Sequence, residues 1–225
     1  MARSKRGKQL ELDIRTWGGK RANAGRKRVA PRPRVPHVRR PELKRHHPVL
    51  VTIRICDGVP SLREANAWNV IIGIMCKARG RFGMHVIEYS VLGNHLHLIV
   101  EADDQESLER GMRGLNTRLG KNLNKHFQRT GRVIDGRYHA RPLRTPLEVR
   151  HALRYVLRNH ASHCQKIGDP PPRYRFDPRS TAPRFTGWRR PPNDPPTRDL
   201  GTSPPRTWLL RTGWKRHGLL DDADS

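Results

Sequence analysis

Nearly all of the regular hydrophobic periodicity of this 225-residue chain lies within residues 48–165, which also hold few of its 19 prolines. Alternating β-branched and apolar residues predict strands, whereas apolar residues that recur every three or four positions predict helices. In chain order the pattern predicts a strand at 49–55, a helix that Ser61 caps and that ends near Gly80, a strand at 84–92, a strand from His95, a helix at 106–127, a strand at 138–143 and a helix from 147 to about 163.

The order of these elements, β-α-β-β-α-β followed by a helix, is that of the split β-α-β pattern. We therefore expect an α+β fold, with a ferredoxin-like antiparallel four-stranded sheet, helices on one face and a C-terminal helix. Residues 1–47 predict a basic, largely disordered arm, because they hold too few apolar side chains to build a core. Residues 166–225 form a proline- and arginine-rich extension, and we expect its Trp188, Trp208 and Trp214 to pack onto the core formed by 48–165.

The net charge of +26, from 46 Lys and Arg against 20 Asp and Glu, constrains the partner of this chain. Such a charge repels itself unless a polyanion neutralises it, and nucleic acid is the leading candidate. A membrane surface is the alternative, but the sequence contains no long amphipathic helix with a large apolar face and no apolar run of spanning length. The candidate phosphate contacts are the basic face of helix 106–127, one arginine before the last strand and a Gly-Arg-Lys segment of the arm: Arg110, Arg113, Arg118, Lys121, Lys125, Arg137, Arg26 and Lys27. A merely solvated helix face is the alternative explanation.

The cysteines and the N-terminus point to an intracellular protein. Cys56, Cys76 and Cys164 are odd in number and widely spaced, so they match neither a disulfide framework nor a zinc-binding pattern. The N-terminus is basic but lacks the apolar segment of a secretory signal. We therefore expect reduced thiols in a cytoplasmic protein.

His95 and His97 flank Leu96 within an apolar strand. Because strand side chains alternate between faces, the two imidazoles point to the same side of the sheet. Neutral imidazole is a common ligand of divalent ions, so the pair is half of a candidate metal site. Two hydrogen-bonded histidines on the surface of a sheet are the alternative, and the strand by itself does not decide between them.

The last predicted helix carries a polar row beside its apolar face. His151, Tyr155, Asn159 and His163 recur every four residues, so they lie along one side of the helix. Tyr155 and Asn159 are neighbours in this row, so both side chains can reach the same point in space. Ordinary boundary residues are the alternative explanation for a phenol and an amide at these positions.

Four short motifs follow one another between residues 46 and 165: Gly93-Asn94-His95-Leu96-His97-Leu98, Leu115-Asn116-Thr117-Arg118, Gly136-Arg137-Tyr138 and Arg154-Tyr155-Val156-Leu157-Arg158-Asn159. In this order they resemble the single-tyrosine HUH transposases, specifically the REP-associated tyrosine transposases of bacteria. The resemblance implies that His95 and His97 are ligands of a divalent metal, that Asn159 is the third ligand, and that Tyr155 is the catalytic nucleophile.

The same resemblance implies DNA transposition, in which single-stranded or hairpin DNA is cleaved and rejoined through a 5′-phosphotyrosine intermediate. It also implies Mg²⁺ or Mn²⁺ as the cofactor; imidazole is an unusual ligand of Mg²⁺, so we expect Mn²⁺ to bind better. Members of the family are often dimers, whereas REP-associated ones can act as monomers, so a homodimer and a monomer are both open. The resemblance also implies a bacterial, nucleoid-associated protein. Two alternatives stay open: a descendant that binds DNA without cleaving it, and a metal-dependent nuclease that forms no covalent intermediate.

Overall fold

The computed structural model describes residues 43–168, 170 and 172–221, so the predicted basic arm lies outside the described residues except for 43–47. The strands and helices predicted between 48 and 165 are all present. They are β1 (Val49–Arg54), α1 (Ala65–Ala78), β2 (Met84–Val91), β3 (His95–Ala102), α2 (Gln105–His126), β4 (His139–Pro142) and α3 (Pro146–Ile167). None of the helices in this described part is both long enough and apolar enough to cross a bilayer.

The four strands form one sheet in the order β2-β3-β1-β4, and every neighbouring pair is antiparallel. Because β3 lies between β1 and β2, His97 has Thr52 of β1 on one side and Ser90 of β2 on the other. The predicted α+β fold, with a four-stranded antiparallel sheet and packed helices, is confirmed.

Alternation along β3 gives the sheet two different faces. Leu96 and Leu98 are fully buried in a core that α1 and α2 build on one side. Ile99 is fully buried in a second core, which α3 builds on the other side. His95 and His97 each lie an even number of positions from Ile99 along β3, so the three side chains point to the same face of the sheet. α3 therefore covers the face that carries both histidines. Full burial of one such apolar side chain contributes about 1.5–3 kcal/mol, so a one-residue slip of β3 would be strongly unfavourable.

The start of α1 differs from the prediction that Ser61 caps it. The helix begins at Ala65, and the Ser61 hydroxyl instead accepts a hydrogen bond from the Arg63 amide at 3.3 Å. Between them, Leu62 is fully buried and donates its backbone amide to the carbonyl oxygen of Gly93 at 2.9 Å. Residues 61–63 are therefore held against the turn that precedes β3 rather than wound into the helix.

The C-terminal extension packs onto the α3 side of the sheet. Trp188 and Trp214 are both 2% exposed and belong to the core that α3 builds. A short helix, α4 (Trp208–Arg211), adds two buried leucines to the same core. The expectation for Trp208 is wrong: it is 48% exposed, and its ring contacts the guanidinium group of Arg216, 4.8 Å from the ring centroid.

The extension also covers the outer edge of β2. Three backbone hydrogen bonds of 2.8–2.9 Å join them: Val91 N to Arg179 O, Thr181 N to Tyr89 O, and Ser203 N to Val86 O. An open strand edge is a template for pairing with another chain, so the extension satisfies this edge within the molecule.

Gly201 and Gly218 form a matched pair that tests the packing of the extension onto α1. Both have positive φ, 76° and 82°, which disfavours any side chain. A Cβ at Gly201 would overlap the backbone of Met75 and Cys76, whereas one at Gly218 would meet nothing within 4 Å. Gly218 has a ψ of 161°, in a region of backbone space that is essentially restricted to glycine, so we expect Gly218→Ala to lower the free energy of unfolding by about 1–3 kcal/mol, and Gly201→Ala by about 1–3 kcal/mol more. Urea unfolding measures both losses, and equal losses would contradict the close approach at Gly201.

Glu88 of β2, opposite Ile99 of β3, makes stability depend on pH. Burial raises the pKa of the Glu88 carboxyl from 4.5 to about 8, and a hydrogen bond with Thr181 opposes the rise only in part. The folded protein therefore keeps this proton in a range where the unfolded chain has lost it, and stability falls as the pH rises from about 4.5 to about 8. In Glu88→Gln, the free energy of unfolding measured with urea should fall less between about pH 4.5 and about pH 8. Parallel losses in both proteins would refute the assignment to Glu88.

Candidate active site

His95 and His97 project side by side from β3. Their ring centroids lie 6.0 Å apart and their planes differ by only 7°. Two strand positions separated by one residue impose this arrangement. His95 is half-buried, whereas His97 is 5% exposed. The structure thus brings the two predicted imidazoles together on the face that α3 covers.

An oxygen atom lies against Nδ1 of each histidine. Thr52 Oγ1 is 3.0 Å from Nδ1 of His97, and Asn94 Oδ1 is 2.6 Å from Nδ1 of His95. Thr52 reaches His97 because the antiparallel pairing of β1 with β3 places the two residues directly opposite each other. With each Nδ1 engaged, the rings are oriented and their Nε2 atoms are left for other partners.

Burial favours the neutral form of both imidazoles. It lowers the pKa of His97 to about 4, with further lowering by His95 and His163. Burial also lowers the pKa of His95, as do His163 and Arg54, which lies opposite His95 on β1. Only a neutral imidazole offers a lone pair to a metal ion, so both side chains are in the form that a ligand needs near neutral pH.

A capping box fixes the start of α3. The Thr145 hydroxyl accepts a hydrogen bond from the Glu148 amide at 3.2 Å, and the Glu148 carboxylate accepts one from the Thr145 amide at 3.3 Å. Pro146 occupies the first helical position, where the missing amide proton is no loss. This Thr-Pro-Leu-Glu signal sets where the helix begins and therefore which way Tyr155 faces. It is readable in the sequence, although the prediction of this helix did not use it.

Tyr155 approaches the histidine pair from α3. The Tyr155 hydroxyl is 3.5 Å from Nε2 of His97, and the two rings meet edge to face with centroids 5.0 Å apart. Tyr155 is nevertheless 43% exposed, so part of its side chain is open to solvent. Asn159, one turn later, is 6% exposed, and its side-chain nitrogen has no hydrogen-bond partner among the described residues.

The residues around His97 could hold a divalent ion through two imidazoles and one amide. Within the part of the chain that the structure describes, no three His, Cys, Asp or Glu side chains are grouped to hold a metal, so His163 does not complete such a set. Asn159, buried one turn after Tyr155 on α3, could supply the third donor through its amide oxygen, since the amide nitrogen only donates hydrogen bonds. A nitrogen-rich donor set of this kind suits Mn²⁺ better than Mg²⁺.

The predicted basic face of α2 lies on the other side of the sheet from Tyr155. The apolar stripe of α2 belongs to the core shared with α1, not to the core that α3 builds. Arg118 of this face is half-buried and donates to the carbonyl oxygen of Gly114 in its own helix at 3.1 Å. The remaining members of the face are exposed: Arg110, Arg113, Lys121 and Lys125.

Two of the predicted phosphate contacts converge although they come from different elements. Arg113 of α2 and Arg137, just before β4, line one cavity of about 320 Å³. Arg110 instead lies over the ring of Phe82, 5.0 Å from its centroid. Arg26 and Lys27 lie outside the described residues.

Three neighbours of the histidine pair were not predicted as site residues. Asn94 directly precedes His95, so its position in the turn is a signal that the sequence offers. Thr52 and Arg54 come from β1, and Thr52 is 45 residues away from His97 in the chain. Only the register between β1 and β3 brings them to the site, and no local pattern in the sequence specifies that register.

Comparison with known proteins identifies the central part of the chain. Residues 62–156 match the model of the family described as "Transposase IS200 like". This segment belongs to the IS200-like transposase family. The resemblance that the four sequence motifs carry is therefore confirmed. No curated protein sequence matches the chain.

Two solved structures are similar to this chain. One is the REP-associated tyrosine transposase bound to a REP hairpin, with 15% identity, coverage of 57% of this chain and 74% of that chain, and a TM-score of 0.47. The other is a protein of Deinococcus radiodurans R1 described as a transposase, with 11% identity, coverage of 60% of this chain and 95% of that chain, and a TM-score of 0.38.

The IS200-like segment contains some of the candidate site but not all of it. His95, His97 and Tyr155 lie inside the matched range, which ends at residue 156, before Asn159. Thr52 on β1 and the whole C-terminal extension also lie outside it. The candidate site therefore combines residues from the matched segment with residues from both flanks.

Thr52→Val tests whether the threonine hydroxyl sets the tautomer of His97. We expect His97, in the metal-free protein at neutral pH, to donate its Nδ1 proton to Thr52 and to leave Nε2 facing Tyr155. Removing the acceptor should shift the ring toward the Nε2-protonated form, which nitrogen NMR of the imidazole detects. Thr117→Val, on the exposed face of α2, is the matched control and should leave the ring unchanged. A wild-type ring already protonated on Nε2 would contradict the account.

Proposed function

We propose that this chain is a transposase that binds single-stranded DNA and cleaves and rejoins it through Tyr155. The observation that carries the proposal is the position of Tyr155, a 43% exposed residue whose hydroxyl lies 3.5 Å from Nε2 of His97 within the IS200-like segment. Tyr89 is fully buried and Tyr138 is 7% exposed, while the Tyr174 hydroxyl is hydrogen-bonded within the protein. Tyr155 is therefore the described tyrosine best placed to attack a phosphate.

The proposed reaction is a transesterification in two steps. The Tyr155 oxygen attacks phosphorus and the bond from phosphorus to the 3′ oxygen breaks, which leaves a 5′-phosphotyrosine and a free 3′-hydroxyl. The phenol proton passes to water at the partly exposed Tyr155 side chain, and the departing 3′ oxygen takes up a proton from water. In the rejoining step a 3′-hydroxyl attacks the phosphotyrosine and releases the phenol. A covalent intermediate conserves the bond energy, so no external energy source is needed.

His95, His97 and Asn159 are the proposed holders of a divalent ion, Mg²⁺ or Mn²⁺. When bound, such an ion polarises the scissile phosphate and neutralises the charge that develops on it. The chain contributes the form and orientation of the ligands. Burial favours neutral imidazoles, and contacts from Thr52 and Asn94 orient the rings.

The proposed substrate is single-stranded or hairpin DNA. A net charge of +26 favours a polyanion, because phosphate contacts release condensed counterions. β4 forms one edge of the sheet, and its exposed His139 lies opposite Thr52, the residue that contacts His97. A DNA strand that leaves Tyr155 across this edge would meet Arg137 just before β4. A homodimer stays a prediction.

A covalent-adduct assay with a labelled single-stranded oligonucleotide tests the role of Tyr155. We expect the wild-type protein with Mn²⁺ to form an adduct that survives denaturation, and chelation of the metal to abolish it. Tyr155→Phe removes the attacking oxygen and should form no adduct. Tyr138→Phe, at the rival tyrosine, should still form one.

Each other outcome of this assay has a defined meaning. An undiminished adduct in Tyr155→Phe would overturn the assignment of the nucleophile. Cleavage that persists in Tyr155→Phe without an adduct would favour a nuclease that uses water. Equal DNA affinity without cleavage in both wild type and His95→Ala would favour a protein that only binds DNA.

A further inference from the structure

Arg63, just before α1, makes an unusually complete set of buried contacts. Its Nη1 donates to the carbonyl oxygen of Val91 at 2.7 Å and to Asp177 Oδ2 at 2.9 Å. Its Nη2 donates to Asp177 Oδ1 at 2.8 Å and to the Tyr174 hydroxyl at 3.0 Å. The side chain of Arg63 is 17% exposed and that of Asp177 only 4%. The planar fork of a guanidinium group fixes the relative directions of such partners.

One arm of this set leads to the histidine strand. Val91 is the last residue of β2, and the turn after it closes through a hydrogen bond from the Leu92 amide to the carbonyl oxygen of His95 at 2.9 Å. Leu62, next to Arg63, also donates its amide to Gly93 within this turn. Arg63 is therefore fixed to the segment that positions the first residue of β3.

The other arm leads to α3. The Tyr174 hydroxyl, which accepts from Arg63, is also hydrogen-bonded to Nδ1 of His160. His160 directly follows Asn159 in α3, and the two rings of His160 and Tyr174 lie 5.7 Å apart, centroid to centroid. Burial raises the pKa of the Tyr174 phenol, and Asp177 raises it further, so the hydroxyl stays protonated and able to bridge.

We propose that Arg63, Tyr174 and Asp177 are positioning residues that hold the Asn159 end of α3 at a fixed place relative to the histidines of β3. The functional consequence rests on the proposed function of the site. Tyr174 and Asp177 belong to the C-terminal extension, outside the IS200-like segment. The extension thus supplies part of the framework of the catalytic site rather than an independent appendage.

The buried ion pair is better explained by positioning than by stability alone. Removing two charges from water costs free energy, and well-packed apolar residues often stabilise a fold at least as much. Apolar residues would not supply directional hydrogen bonds. Arg63 makes such bonds both to the turn before β3 and, through the phenol of Tyr174, to α3. Small misplacements of a reacting group lower the rate of reaction steeply, so such a link affects the chemical step directly.

Tyr174→Phe tests the proposal because it removes one hydroxyl and leaves the Arg63–Asp177 pair intact. We expect hydrogen exchange of the α3 amides around Asn159 to accelerate in the metal-free, DNA-free protein. We expect the single-turnover rate of adduct formation to fall on the order of 10- to 100-fold. The dissociation constant for the oligonucleotide and the thermal unfolding midpoint should stay close to wild type.

Asp199→Asn is the matched control. It breaks the exposed ion pair between Asp199 and Arg79, which also ties the extension to the rest of the fold but joins it to α1 instead of α3. In this variant, the hydrogen exchange of the α3 amides and the single-turnover rate of adduct formation should both match those of the wild type. Arg63→Lys keeps the charge but loses the planar fork, and it should lower the rate at least as much as Tyr174→Phe.

The outcomes separate this proposal from the proposed function. Unchanged α3 exchange in Tyr174→Phe would overturn the positioning role, whether or not the protein cleaves DNA. A rate loss of equal size in Asp199→Asn, or one that matches a fall in the unfolding midpoint, would reduce the link to general stability and overturn it as well. No adduct from the wild-type protein would refute the proposed reaction, while the exchange data would still decide on the link between Arg63 and α3.

Discussion

The packing of α3 against one face of the sheet is the interaction on which the rest of this structure depends. β3 places Leu96 and Leu98 in one core and Ile99 in the other, so its register is fixed from both sides. The histidines must then face α3. A helix that covers Ile99 also covers His97, and the same contact that completes the second core brings the Tyr155 hydroxyl within 3.5 Å of an imidazole nitrogen. Stability and chemistry share one interface.

The C-terminal extension belongs to this interface. Its Trp188 and Trp214 fill the core beneath α3, and its backbone pairs with the edge of β2. It also satisfies buried charges of the central region: Glu101 of β3 accepts the amides of Arg206 and Thr207 at 2.7 and 2.8 Å, and Asp177 pairs with Arg63. A carboxylate buried without such partners would be costly, so the central region and the extension are complementary. The family match stops at residue 156, but the folded unit does not.

Periodicity in the sequence predicted the strands and helices well, because their apolar faces are buried as the pattern requires. The i, i+2 histidines and the i, i+4 row of α3 were likewise readable, since both follow from local geometry. Contacts between residues distant in the sequence were not predictable. Thr52 reaches His97 only through the register of β1 with β3, and the hydrogen bond of Leu62 to the turn before β3 keeps Ser61 away from the start of α1. For the same reason the sequence could not show that the basic face of α2 lies across the sheet from Tyr155.

The central step of the proposed reaction is the bonding of the Tyr155 oxygen to DNA. Tandem mass spectrometry of protease-digested protein, after reaction with a single-stranded oligonucleotide and Mn²⁺, locates the modified residue directly. We expect a 5′-phosphate linkage on the peptide that contains Tyr155 and on no other tyrosine. A linkage on Tyr138 or Tyr174, or cleaved DNA with every tyrosine unmodified, would contradict the proposed role of Tyr155.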